Sequence, residues 1–248
     1  MKLLIVAGDH VIFHRLAQEL AAGIGDAHEL TLATEAVHLS PRVIWRQRVQ
    51  RSGFWRALDQ LVFKVFDMLW LRRREETDAR QRLDAARPLQ RIPALNSPQG
   101  LEWLRQGRFD VVIGLATSII AAQALALPRH GFINIHPGVL PAYRGTGNLW
   151  PVLRHDWKQV GCTVHWMTSE IDVGRILALV RLSSWPDGLW ALHVAALRAG
   201  CAALADIVQR GNLLHAQLDV TGETSAYYGW YGFMDYLRFR RAQAQRPR

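Results

Sequence analysis

Residues 131–145 read Gly-Phe-Ile-Asn-Ile-His-Pro-Gly-Val-Leu-Pro-Ala-Tyr-Arg-Gly. The run opens as a short apolar strand, Gly131 to Ile135, and then turns polar. Asn134 and His136 are two residues apart and so lie on one side of an extended chain. In an open α/β sheet the carboxyl ends of the strands face the ligand crevice, so both side chains are expected to project into it. Pro137, Gly138 and Pro141 stop the chain from continuing as a regular element and fix the loop that follows. Read alone, a histidine before a proline fits a structural turn more readily than a catalytic base.

Outward from this strand the pattern repeats. Phe109 to Leu115 is a buried apolar run followed by helical spacing from Ser118 to Leu127. At the N-terminus Leu3 to Ala7 makes a strand, and His10 to Gly23 an amphipathic helix with Ile12, Leu16, Leu20 and Ala21 on one side. Glu29 to Thr34 alternates as a further strand. Downstream, Val160 to Met167 and Ile176 to Leu182 read as strands, and Leu189 to Arg210 as a long helix ending at Gly211. Strands alternating with helices predict an α/β fold with an open, mostly parallel twisted sheet covered by helices on both faces. One main domain is expected over 1–211, with an extension over 212–248.

Residues 42–91 interrupt this alternation. They hold 13 Lys or Arg against 6 Asp or Glu, while the whole chain of 248 residues carries +9. Phe54, Leu58, Leu61, Val62, Val65, Phe66, Leu69 and Trp70 fall at helical spacing. The segment is expected to be an amphipathic helical insert whose stripe packs within the protein. Docking a partner, or lying on an anionic membrane surface with Arg72, Arg73 and Arg74 near the headgroups, are the alternatives. The extension begins with a dense aromatic run, Ala226 to Tyr236, expected to fold back over a surface or pocket. Its final basic residues are expected to be disordered.

Composition limits the class. Half the residues are apolar, as in a globular chain rather than a disordered one. The opening Met-Lys-Leu-Leu-Ile-Val-Ala-Gly-Asp reads as a strand and not a signal peptide, and no run approaches the roughly 20 apolar residues of a membrane span. Cys162 and Cys201 have no metal-ligand spacing and are expected to be reduced and buried in a cytoplasmic protein, peripheral to a membrane if the insert binds one.

A second polar site lies in residues 160–177, Val-Gly-Cys-Thr-Val-His-Trp-Met-Thr-Ser-Glu-Ile-Asp-Val-Gly-Arg-Ile-Leu: strand, turn, strand. Alone, Asp172 before Val-Gly fits an Asx turn. The two segments together, Asn-x-His with Leu-Pro-x-Tyr-Arg-Gly and then Val-x-His leading into Asp-x-Gly, resemble the 10-formyltetrahydrofolate-dependent formyltransferase family. That family includes glycinamide ribonucleotide, methionyl-tRNA and amino-sugar formyltransferases. The resemblance covers 109–211 and, weakly, the opening strand; it implies a Rossmann-like formyltransferase fold. It places Asn134, His136 and Asp172 at the catalytic positions. It places Ser118, Ile119 and Ile120, with Met167, Thr168, Ser169 and Asp172 of the turn, where members hold the pterin. The implied chemistry is transfer of a formyl group from 10-formyltetrahydrofolate, as donor, to an amine, without a metal. Many members have Ser where this chain has Gly138 and Leu where it has Val139.

The acceptor is expected to be a small amine: an amino sugar on a nucleotide or lipid carrier, or an amino-acid-derived amine. The loop Ala7-Gly8-Asp9-His10 has one glycine and makes a poor nest for the phosphate of glycinamide ribonucleotide. Only 37 residues follow Gly211, against the further C-terminal domain of methionyl-tRNA enzymes, so nucleic acid is not the expected partner. Both acceptors stand as alternatives, as do a non-catalytic folate-binding protein and a nucleic-acid-binding module. The oligomeric state is left open, a dimer included.

Overall fold

The computed structural model describes residues 1–36, 41–220 and 224–247. In chain order the elements begin β1 (Lys2–Ala7), α1 (Val11–Ile24), β2 (Glu29–Ala36), α2 (Pro41–Ser52), α3 (Phe54–Phe66), a π turn (Asp67–Leu71) and α4 (Arg73–Gln81). Next come β3 (Gln90–Pro93), α5 (Pro98–Gly107), β4 (Val111–Leu115), α6 (Ala122–Leu125), β5 (Gly131–His136), β6 (Arg144–Gly145) and α7 (Leu149–Leu153). The chain closes with a 3₁₀ turn (Trp157–Gln159), β7 (Gly161–Trp166), β8 (Ile176–Arg181), α8 (Leu189–Gln209), β9 (Tyr227–Tyr228) and α9 (Phe233–Ala244).

Seven strands form one sheet in the order β3-β2-β1-β4-β5-β7-β8. The first five are parallel; β7 runs antiparallel to β5, and β8, antiparallel to β7, points the same way as the first five. Alternation along β1 divides the interior. Leu3 and Ile5 face a layer built from α1 and α8, with Leu16, Leu20, Leu197 and Leu204. Leu4 and Val6 face the opposite layer with Leu104, Phe109, Val112 and Phe132. Both faces are therefore covered, as a parallel sheet requires. The α/β, Rossmann-like architecture expected from the sequence is the one observed. Helix α1 starts where His10 caps it, its Nδ1 accepting from the Ile12 amide at 3.3 Å.

Helix α8 is long and apolar enough to cross a membrane by length and composition, contrary to the expectation that no run would be. Its Leu192, Ala196, Leu197, Cys201 and Leu204 are buried in the core. The helix lies so close to the sheet that a Cβ on Gly200 would stand 2.4 Å from Cys162 Sγ and 2.9 Å from Ile135. Both cysteines are buried and free. Burial pushes the Cys201 thiol up to about 12.

Two expectations are corrected. The helix read over Ser118 to Leu127 is one turn, Ala122–Leu125. Before it, long-range side-chain bonds capture the backbone: Asn96 donates to the Ile119 carbonyl at 2.7 Å and accepts from the Ala121 amide at 2.8 Å. The apolar stripe of α3 does not pack inward as a whole. Its buried residues are Ala57, Gln60 and Phe63, while Phe54, Leu61, Val62 and Val65 are exposed. The extension is helical through Ala244, with Phe239 fully buried.

The insert and the extension cover each other. Phe63 meets Tyr231 and Tyr236 with ring centroids 5.1 and 5.8 Å apart, and Phe66 meets Phe233 at 5.2 Å. Gln60 donates to the Trp230 carbonyl at 2.9 Å, and Arg56 pairs with the buried Asp235. A third apolar cluster results, joining Phe63, Leu149, Trp157, Leu189, Tyr236 and Phe239.

The closeness of α8 to the sheet gives a direct test. Gly200→Ala should destabilise the fold by about 1–3 kcal/mol through overpacking against Cys162 and Ile135. Urea unfolding followed by circular dichroism measures it.

Candidate active site

The crevice lies where β4 and β5 end and the chain turns away. Asn134 and His136 stand on β5, and β7 runs antiparallel beside it with Asn134 opposite His165 and His136 opposite Thr163. Thr163 ties down the loop after β5: its hydroxyl donates to the Gly138 carbonyl at 2.7 Å and accepts from the Leu140 amide at 3.1 Å. The loop then brings the Tyr143 carbonyl to His136 Nε2, which donates to it at 3.0 Å. Tyr143 is itself anchored, its hydroxyl donating to Asp156 at 2.9 Å. Burial, with that carboxylate, raises the phenol above its ordinary range.

Gly138 has a packing reason. A Cβ there would stand 2.7 Å from His136 Nε2 and 2.8 Å from the Tyr143 carbonyl oxygen, inside van der Waals contact with both. The departure from Ser at this position thus goes with the place the His136 ring occupies.

Asp172 arrives from the turn between β7 and β8. Its backbone is left-handed, φ +52°, a conformation aspartate tolerates better than most side chains. Arg144 holds the turn by donating Nε and Nη2 to the Ile171 carbonyl at 3.0 and 2.8 Å. One carboxylate oxygen of Asp172 accepts from the Gly145 amide at 2.7 Å. The other faces His136 Nδ1 at 3.5 Å and His165 Nε2 at 3.8 Å. Gly145 has φ +97°, and a Cβ on it would meet the Tyr228 carbonyl oxygen at 2.1 Å. Glycine is what lets β6 pair with β9 while its amide reaches Asp172.

His136 is 3% exposed and lies between two acceptors, the Tyr143 carbonyl and the Asp172 carboxylate. Neither partner can donate, so both ring nitrogens face acceptors. His165 differs. It is 1% exposed, and burial, then the neighbouring His136, pushes it down to about 4, so the ring is neutral near pH 7. Its Nδ1–H donates to the Trp166 carbonyl at 3.0 Å. Nε2 is left as an acceptor for the Asn134 amide at 3.3 Å. His165 thereby fixes the Asn134 amide with its NH₂ toward the ring, and one amide hydrogen of Asn134 remains for a ligand.

The residues expected around the pterin divide. Ile120 and Met167 join one apolar cluster, and Ile119 is 68% exposed. The Ser118 hydroxyl is taken up by the buried Glu35 carboxylate at 2.9 and 3.0 Å, and Glu35 also accepts from the Leu95 amide at 2.8 Å. Thr168 spends its hydroxyl on the Val173 carbonyl inside its own turn, and Ser169 is exposed. Among the described residues no group of three or more His, Cys, Asp or Glu is placed to hold a metal ion.

Sequence reasoning missed the functions of His165, Tyr143 and Gly145. His165 lay in the quoted Val-x-His strand, and the signal was its register: an antiparallel β7 places it directly across from Asn134. On the opposite rim His10 Nε2 meets Glu76 at 2.6 Å and stacks on Trp190, whose Nε1–H donates to Asp67. The insert therefore reaches the loop after β1 and the start of α8.

Comparison with known proteins is consistent with this geometry. The formyl transferase family model matches residues 90–187. Methionyl-tRNA formyltransferase of Thermotoga maritima is 37% identical over 94 residues, 38% of this chain and 30% of its own length. That of Thermus thermophilus is 34% identical over 101 residues, 40% of this chain and 33% of its own. The match thus spans about a third of these relatives. Among solved structures, a sugar N-formyltransferase from Shewanella superposes with a TM-score of 0.60 at 17% identity, over 98% of this chain and 88% of that one. A phosphoribosylglycinamide formyltransferase from Bacillus halodurans gives 0.52 at 17% identity, over 88% and 100%. Residues 90–187 thus resemble the formyl transferase model, as their motifs suggested, and the chain has the fold of these solved structures.

The lowered His165 ionisation has a sign that can be checked. Its folded value lies below its unfolded one, so its contribution to stability is present above the ordinary histidine value of 6.5 and is lost as pH falls toward about 4. Melting temperature measured from pH 7 to pH 4 should drop, and the drop should be smaller in His165→Gln.

Proposed function

We propose that this protein transfers a formyl group from 10-formyltetrahydrofolate to the amine of a small acceptor, with Asn134, His136 and Asp172 at the reacting centre. The observation that carries the reading is the meeting of these three side chains at the ends of the strands, with His136 between the Tyr143 carbonyl and the Asp172 carboxylate.

When bound, the donor supplies the formyl carbon that the amine attacks; negative charge develops on the formyl oxygen, and collapse breaks the bond from that carbon to the folate nitrogen, which takes up a proton and leaves as tetrahydrofolate. The residues bordering the apolar side of the crevice suit a folded-in aromatic ring: Ile120 and Met167 share one cluster. With the Ser118 hydroxyl committed to Glu35, the 118–120 segment would hold the pterin through backbone groups and the exposed Ile119. Thr168, Ser169 and Asp172 would border it from the turn.

Asn134 would donate its free amide hydrogen to the developing oxyanion, its other hydrogen remaining on His165. His136 has both nitrogens facing acceptors, so in its protonated form it would act on that oxygen by charge rather than by a direct hydrogen bond. Asp172 keeps that charge in place and offers the carboxylate through which the amine's proton leaves by way of water. A preorganised arrangement of this kind needs no reorientation during the reaction.

An amino sugar on a nucleotide or lipid carrier, or an amino-acid-derived amine, is the favoured acceptor. The insert narrows the rim with His10, Glu76 and Trp190, and a small amine with an attached apolar or aromatic-stacking group fits such a rim. Methionyl-tRNA is the second reading, favoured by the segment shared with the Thermotoga and Thermus enzymes and by the excess of arginine in 42–91.

Incubation with 10-formyltetrahydrofolate and a panel of nucleotide-linked amino sugars, amino-acid-derived amines, glycinamide ribonucleotide and aminoacylated tRNA should release tetrahydrofolate with only one class. Release with none would overturn the reading. Asn134→Ala should lower turnover by about 10²–10³ without changing the melting curve. Gly138→Ala should lower turnover too, by displacing the His136 ring, and steady-state kinetics with circular dichroism separates this from unfolding.

A further inference from the structure

Helix α3 is apolar on two sides. Its inner side, Ala57, Gln60 and Phe63, is buried, and Phe63 packs on Tyr231 and Tyr236. At the intervening helical positions Leu61, Val62 and Val65 are 41%, 48% and 44% exposed, with Phe54 and Met68 beyond them. Trp55 and Trp70, near the two ends, are 79% and 60% exposed. Isolated exposed apolar residues are ordinary, but five along α3 with two more in the π turn that continues it mark a docking surface.

Its surroundings indicate the occupant. Helix α2 packs at the start of α3 through Trp45 against Phe54, ring centroids 6.0 Å apart, and carries exposed Arg46 and Arg51. At the far end Arg73 and Arg74 are exposed, and Lys64 is exposed on α3 itself. A second copy of this face would bring like charges together. An anionic bilayer meets both demands: its headgroups attract the arginines, and the headgroup–acyl boundary takes the apolar stripe. Tryptophan, apolar in body with one N–H, favours that boundary at either end of the helix.

We infer that the insert docks this protein on an anionic membrane surface, with α3 and the π turn after it lying in the interface plane and the stripe from Phe54 to Met68 entering the acyl boundary. Docking leaves the buried face of α3 on α9 undisturbed. It also sets the bilayer beside the rim of the crevice, because the same insert supplies Asp67 to Trp190 and Glu76 to His10.

The test is co-sedimentation of the whole chain with vesicles of phosphatidylcholine alone and of phosphatidylcholine containing about 30% phosphatidylglycerol, a lipid that lends negative surface potential. The protein should bind the anionic vesicles and not the neutral ones, and binding should weaken as salt is raised to about 0.5 M. Val62→Glu with Val65→Glu should reduce binding at least about tenfold with an unchanged melting curve, since both side chains are exposed. Arg73→Gln with Arg74→Gln should reduce it less and flatten its salt dependence. The proposal is overturned if wild-type protein ignores anionic vesicles, or if the double glutamate variant binds them equally. It is also overturned if sedimentation shows a dimer that the glutamates dissociate while vesicles bind neither form.

Discussion

The Asp172 carboxylate joins the loop after β5 to the turn between β7 and β8. One oxygen takes the Gly145 amide at 2.7 Å and the other faces His136 at 3.5 Å. Through Gly145 it fixes the end of the loop that begins at Pro137, and through that strand it reaches the β6–β9 pair and the aromatic extension. Tyr228, the partner of Gly145, stacks between Tyr143 at 5.2 Å and Trp150 at 5.4 Å. A buried carboxylate without partners would be costly. Here the Gly145 amide bonds one oxygen and His136 Nδ1 faces the other, so the group that organises the loops also stands beside the candidate catalytic histidine.

The two histidines beside it show how position divides like residues. His136 faces only acceptors. His165, one strand away, has a backbone carbonyl on one nitrogen and an amide donor on the other. Burial and the nearness of His136 keep it neutral. One ring therefore faces a carbonyl and a carboxylate while its neighbour acts as a fixed acceptor that aims Asn134. Pairs of titratable groups driven apart by their environments are a common basis for assigning separate roles.

Much of the sheet was legible because its physics is local. Leu3 to Ala7 and Gly131 to His136 are apolar runs of strand length, and α1 and α8 have the periodicity of helices with one face on a core. The misses arose from non-local bonds. Residues 118–121 have helical spacing, but Glu35 and Asn96, distant in sequence, hold their backbone and side chains otherwise. Periodicity placed α3 correctly and could not say which face would find a neighbour, because α9 contacts the side carrying Ala57 and Phe63 rather than the broad stripe. Asn134, His136 and Asp172 were each ambiguous alone and gained meaning from their joint spacing. His165 sat among apolar neighbours, and only strand register set it opposite Asn134.

The central claim is that the Asp172-held arrangement moves a formyl group to an amine. Its most direct test supplies 10-formyltetrahydrofolate labelled with ¹³C in the formyl group, together with the acceptor panel, and follows the label by mass spectrometry in wild type and Asp172→Asn. The account predicts labelled N-formyl product with wild type, and product formation reduced by about two orders of magnitude or more in the folded variant. Equal rates in the two proteins, or label that never leaves the folate with any amine, would contradict it.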